Sequence, residues 1–322
     1  MYHGSMPKNF PDARRERALN LLCAVLGPVG TVLLVIGSGQ QLATAAVGKP
    51  FAQPLALVSI VVGITALLGC ASFTTTRSQV GLTLGGSIAC LGALASPLFP
   101  LDFPGVDILL PTWWAAFLPS LAGVLFGSAL ACEITRRRAS SRPDEDLLRI
   151  VASDQTFRAP LPFSRGRDSV RSFYLSAIAS AGLWGLLLIR AHGVDVTGGP
   201  THMFLYLNWA CELITLMGVV VFSLLLTFSG MFSSFGPLFC GTFFITLPAC
   251  GVSFLQVITG YGIGPNFPTA TAFGLTAVPL SAIGAAAVAT VHAAHWARVR
   301  SCSKEASKRD LDLETYLRDM EI

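Results

Sequence analysis

Apolar and polar positions do not alternate along this chain; the apolar ones run together. Eight stretches are predominantly apolar over more than twenty residues each: 18–44, 54–74, 79–99, 112–134, 171–192, 203–228, 235–259 and 270–297. That is the length an α-helix needs to cross about 30 Å of hydrocarbon. Inside such a layer no water meets the backbone N–H and C=O groups, so each stretch has to be helical. The pattern predicts an all-α fold, a polytopic transmembrane bundle of about eight helices.

The polar residues between the stretches give the bundle its orientation. With the N-terminus placed inside, the outside loops are 45–53, 100–111, 193–202 and 260–269, and the other connections lie inside. Of 22 Lys and Arg residues, 20 then fall in inside segments or at their edges; only Lys49 and Arg190 fall outside. This positive-inside bias predicts that both termini lie inside. The net charge of +4 is therefore explained by topology and by anionic headgroups. Membrane lipids are expected partners, and nucleic acid is not.

Composition agrees. Hydrophobic residues make up 52% of the chain and charged residues 12%, against about a quarter charged in a soluble domain. Seven of the eight cysteines lie within or at the edge of predicted spans, and Cys302 lies in the inside tail. No outside loop holds one, which argues against a disulfide framework. No pair has zinc-ligand spacing, so no metal or other cofactor is expected. Arg14, Arg15 and Arg17 precede the first apolar run as they would in a signal peptide, but the run continues to about Ala45 without a cleavage site. The first stretch is read as a retained helix.

The chain also resembles itself. Arg17-Ala-Leu-Asn-Leu-Leu aligns with Arg171-Ser-Phe-Tyr-Leu-Ser, and the same offset places Leu33-Leu34-Val35 on Leu187-Leu188-Ile189 and Gly39 on Gly193. Further along, Asp102-Phe103-Pro104 pairs with Asn266-Phe267-Pro268, Pro119 and Gly123 with Pro279 and Gly284, and Arg136-Arg137-Arg138 with Arg298-Val299-Arg300. Each unit holds four spans, so both start on the same side. The expectation is a tandem parallel 4+4 repeat about an axis normal to the membrane. The segments are then an inside N-terminus 1–17, a first repeat 18–134, an inside loop 135–170, a second repeat 171–297 and an inside tail 298–322.

Two soluble pieces stand out. In the central loop, Ser141-Arg142-Pro143-Asp144-Glu145-Asp146 reads as a helix start, with Pro early and acids in the first turn; Pro160, Pro162 and Gly166 then break the chain. In the tail, Leu313, Tyr316, Leu317 and Met320 share one face at i, i+3, i+4 and i+7. So short an amphipathic helix is marginal alone in water and needs a surface to dock on. Loop and tail together predict contacts with other subunits of a membrane complex.

Candidate chemistry is sparse. Glu212 is the one acid well inside a predicted span, and Asn208, Glu212 and Thr215 form a polar stripe at i, i+4 and i+7. A carboxylate at membrane depth is costly and marks a solute or proton site by default. Arg190, near the outer end of the fifth span, is its natural partner, and an interhelical structural pair is the alternative. His292 and His295 share a face near the inner end of the last span, as a metal site could use, and Glu133, at the comparable place in the fourth, could approach them. Interfacial anchoring is their simpler role. The outside loops 100–111 and 260–269 are crowded with Pro, Gly and aromatic residues that suit the headgroup level. Gly81-x-x-x-Gly85 and Gly123-x-x-x-Gly127 allow close helix approach, read as packing within the molecule.

No P-loop, dinucleotide fingerprint, nucleophile elbow or His-Glu-x-x-His motif occurs. The expectation is a protein that is not an enzyme: a non-catalytic integral subunit of a larger membrane assembly, its tail docking a partner. The alternative is a small-solute transporter or channel with a site between the repeats near Glu212.

Overall fold

The fold is known from a computed structural model. It describes residues 13–46, 54–73, 79–95, 110–140, 165–192, 209–246, 279–295 and 297. Side chains are described for 17–41, 54–73, 79–94, 117–137, 166–187, 214–246, 279–295 and 297. Among the described residues there is no strand. The helices described are α1 (Ala13–Ala46), α2 (Pro54–Phe73), α3 (Val80–Ala95), α4 (Leu110–Ser140), α5 (Arg165–His192), α6 (Trp209–Phe228), α7 (Phe235–Thr246) and α8 (279–295). A 3₁₀ turn, Ser229–Met231, joins α6 to α7.

Five segments are long and apolar enough to cross a membrane: Arg17–Gln41, Pro54–Phe73, Phe117–Arg137, Gly166–Leu187 and Ile214–Met231. The apolar parts of α3 and α7, Val80–Leu94 and Phe235–Thr246, are shorter. The architecture is that of a helical membrane bundle. Two boundaries differ from the hydropathy reading. Helix α4 runs on past residue 134 through Arg136, Arg137 and Arg138. Helix α5 begins at Arg165, so Gly166 lies in its first turn instead of breaking the chain. A helix does not end where its apolar run ends. Polar residues propagate it once it is nucleated, and Asp168 in the first turn of α5 suits the positive end of the helix dipole.

Small residues set the contacts. Helix α1 packs on α2 and α3, α3 on α4, α4 on α6, and α5 on α6. Gly81 of α3 lies against the Cys23 carbonyl of α1, and a Cβ on Gly85 would stand 2.7 Å from Thr31 Oγ1. Gly123 faces the Val220 carbonyl of α6 at 2.6 Å from where its Cβ would be, and Gly127 faces Leu224. Both Gly-x-x-x-Gly pairs thus pack inside the molecule. Gly236 of α7 lies against Ser172 of α5, and Gly241 of α7 meets Gly284 and Val288 of α8.

Burial falls into two classes. The membrane-length segment of α4 is 78% buried, against 28% for those of α1 and α2. Along α8 most described residues are buried, the exceptions being Ser281, Val288, His292 and His295. The centre of the molecule is therefore the α4–α8 pair. Its lining of Leu121, Ala122, Leu125, Ala129, Ile283, Ala286, Ala289 and Ala293 belongs to one continuous core. The outer helices turn Leu21, Leu55, Val61, Leu91, Ile178 and Ile214 outward, each more than 60% exposed, as a lipid-facing surface requires.

Candidate functional site

The α4–α8 seam holds the most central polar contact. Ser128 Oγ donates to Thr290 Oγ1 at 2.7 Å, and Thr290 Oγ1 in turn donates to the Ala286 carbonyl one turn back at 2.8 Å. One turn further along α4, the Cys132 thiol points at the Ala293 carbonyl, Sγ···O 3.9 Å. Small side chains on both helices let hydroxyls and thiol reach across. Satisfied hydroxyls of this kind cost little at membrane depth, whereas an unmet one costs about 1–3 kcal/mol.

At the end of α4 that carries its arginines, Glu133 gathers three partners. Gln79, just ahead of α3, donates Nε2 to Glu133 Oε2 at 2.7 Å. Arg137 donates Nε to Oε1 at 2.8 Å. Arg136 Nη2 stands 3.6 Å from Oε2, too far for a hydrogen bond, and its Nε and Nη2 are buried without an acceptor. The carboxylate thus ties α3 to α4 while compensating the arginine run. His292 is half-buried and His295 exposed. Among the described residues no three His, Cys, Asp or Glu side chains lie together in a way that would hold a metal, so these histidines and Glu133 do not assemble one.

A second hydroxyl ladder joins α5 to the α6–α7 turn. Ser172 Oγ donates to the Ser233 carbonyl at 2.6 Å, Ser169 Oγ lies 3.3 Å from Ser233 Oγ, and Ser176 Oγ lies 2.5 Å from Ser229 Oγ. The sequence places serines at 172, 176 and 180, one face of α5 at i, i+4 and i+8. Ser223 Oγ is buried without a hydrogen-bond partner.

The residues singled out by sequence fall as follows. Glu212 and Arg190 lie on the helical backbones of α6 and α5, with side chains outside the described set. Thr215 is half-buried on α6. Asn208 and the tail residues Leu313, Tyr316, Leu317 and Met320 lie outside the described residues, as does the acidic stretch at 144–146. Sequence reasoning did not single out Ser128, Thr290 or Gln79. The first two were findable as hydroxyls inside apolar spans; Gln79 carries no signal of its own.

Comparison with protein-family models, curated proteins and solved structures finds no match to this chain.

Proposed function

We infer that this chain is a non-catalytic integral subunit of a larger membrane assembly, built from two four-helix halves with both termini inside. The α4–α8 seam carries the reading: it is closed by alanines, leucines and satisfied hydroxyls, with no carboxylate facing it among the described residues. Such a centre favours fixed packing over a solute path. The broad apolar periphery and the docking-competent tail supply surfaces for neighbours.

Recurring contacts support the two halves. Gly63 of α2 meets Leu34 of α1, and Gly218 of α6 meets Leu186 of α5; Gly30 of α1 faces Leu67 of α2, and Gly182 of α5 faces Phe222 of α6. Between these pairs the offset is 155 from α2 to α6 and 152 from α1 to α5, against 154 in the sequence alignment. Gly86 faces Phe126, and Gly241 faces Val288; these are offsets of 155 and 162. Ser128 and Thr290, bonded to each other, are also 162 apart, as equivalent residues meeting near a two-fold axis would be.

The test is the mass of the native complex extracted in mild detergent. Stoichiometric partners that are lost when 303–322 is deleted are the expected result; a lone chain, or partners indifferent to the deletion, overturns it. The second reading, a small-solute transporter with its site near Asn208 and Glu212, is favoured by the acid on α6 and by duplicated bundles being a common transporter plan. It requires Glu212→Gln to abolish uptake.

A further inference from the structure

Helices α1 and α2 pack with a small residue at each layer of contact. Gly37 faces Ala56, Gly30 faces Gly63 and Cys23 faces Cys70, in steps of seven residues that run in opposite directions on the two helices. At the middle layer a Cβ on either glycine would stand 2.9 Å from the other's carbonyl oxygen, so the two backbones nearly touch. Two turns along, the Cys23 thiol donates to the Cys70 carbonyl, Sγ···O 3.8 Å, and the Cys70 thiol donates to the Cys23 carbonyl at 3.7 Å. Each sulfur lies against the backbone of the other cysteine. A disulfide needs Cβ atoms about 3.5–4.5 Å apart, and helices held this close bring opposed cysteines into that range.

Both thiols are shut away, Cys23 1% and Cys70 0% exposed, and a buried thiol is inert. Helix α3 supplies the cover. Gly81 sits so close to Cys70 Sγ and the Cys23 carbonyl that a Cβ there would overlap both. This layer lies near helix ends: Cys70 is three residues from the end of α2, and Gly81 is the second residue of α3. A single side-chain bond, Gln79 to Glu133 at 2.7 Å, ties that end of α3 to α4. Helix ends open locally at lower cost than a bundle centre. When the start of α3 lifts, Cys70 Sγ is the first sulfur uncovered.

We propose that Cys23 and Cys70 are a peroxide-oxidised thiol pair, closed while α3 is seated and reactive when its start lifts. Hydrogen peroxide is the co-reactant, small and uncharged enough to enter beside a lifted helix end. The Cys70 sulfur attacks one peroxide oxygen and the O–O bond breaks. The thiol proton leaves with the departing oxygen as water, and Cys70 becomes a sulfenic acid. The Cys23 sulfur then displaces that hydroxyl, which takes the Cys23 proton and leaves as a second water. Peroxide is reduced by two electrons, and the two thiols are oxidised to one disulfide. A disulfide adds no charge to the crossing, whereas a sulfinate at this depth would. The bond pins α1 to α2. The proposal holds for a subunit and for a transporter alike.

The test exposes the purified full chain in mild detergent to hydrogen peroxide and follows the Cys23–Cys70 cross-linked peptide by non-reducing mass spectrometry. That cross-link is expected to form slowly in the parent and roughly fivefold faster in Gln79→Ala, which loses one hydrogen bond to a charged, part-exposed acceptor. Gln79→Glu, which sets a second carboxylate beside Glu133, accelerates it at least as much. Alkylation of Cys240, buried on α7, keeps its parent rate in both variants, which separates lifting of α3 from unfolding of the bundle. Four results overturn the proposal: Cys70 oxidised to sulfinic acid with Cys23 untouched, a cross-link to a different cysteine, equal rates in parent and variants, or Cys240 accelerated in step.

Discussion

Ser128 and Thr290 share a hydrogen bond of 2.7 Å across the two most buried helices, 162 positions apart in the chain. Thr290 also back-bonds to Ala286, so it keeps a partner when Ser128 is removed, and Ser128→Ala should be mild. A double-mutant cycle of Ser128→Ala and Thr290→Val should give a coupling of about 0.6 kcal/mol, the usual size for interhelical bonds in bilayers. Ser128→Leu is a different case: it wedges the seam and should cost about 1–3 kcal/mol. Unfolding in mixed micelles of rising SDS fraction measures all three, and a Ser128→Leu protein as stable as the parent would mean the seam is looser than described.

The glycines predict a contrast within one fold. A Cβ on Gly127 would collide with the Leu224 carbonyl and with Thr227 of α6, while a Cβ on Gly185 would meet nothing within 4 Å. Gly127→Ala should therefore destabilise by about 1–3 kcal/mol through forced backbone movement. Gly185→Ala should be neutral or gain up to about 1 kcal/mol from helix propensity. The same SDS titration ranks them, and equal effects would contradict the α4–α6 packing.

Much of this was legible in the sequence because the membrane constraint is strict. The apolar runs located every described helix, and Gly81-x-x-x-Gly85 and Gly123-x-x-x-Gly127 mark real helix contacts. Helix ends were less legible, since Arg136–Arg138 and Arg165–Asp168 are polar yet helical; hydropathy reports where lipid ends, not where hydrogen bonding ends. The partner of each helix was illegible. Nothing in the chain near Gln79 announces that it bonds Glu133, because a single amide has no periodicity to read. The α4–α6 contact likewise depends on shape complementarity between residues about a hundred positions apart.

Glu133 should matter more than either arginine beside it. Arg137 is 78% exposed, so Arg137→Ala removes a solvent-screened pair and should cost under about 1 kcal/mol. Glu133→Ala removes the acceptor of Gln79 and the counter-charge of Arg136 together, and leaves a partly buried guanidinium uncompensated; about 1–3 kcal/mol is expected. Gln79→Ala should reproduce part of that loss by itself, since it unties α3 from α4. If Arg137→Ala proves the worse of the three, the bond from Gln79 to Glu133 is not the link that holds α3 to α4.

Locking the seam separates the two functional readings. The Oγ atoms of Ser128 and Thr290 are 2.7 Å apart, and a disulfide needs its sulfurs at about 2.05 Å. In a chain whose native cysteines are replaced, Ser128→Cys with Thr290→Cys should therefore close under mild oxidation. A transporter with its site between the halves works by rocking one half against the other, and a bond at their centre blocks that motion. A subunit with a fixed core loses nothing. The expectation is that partners and assembly persist with the bond closed. Uptake of a solute that stops on oxidation and returns on reduction would move the assignment to transport.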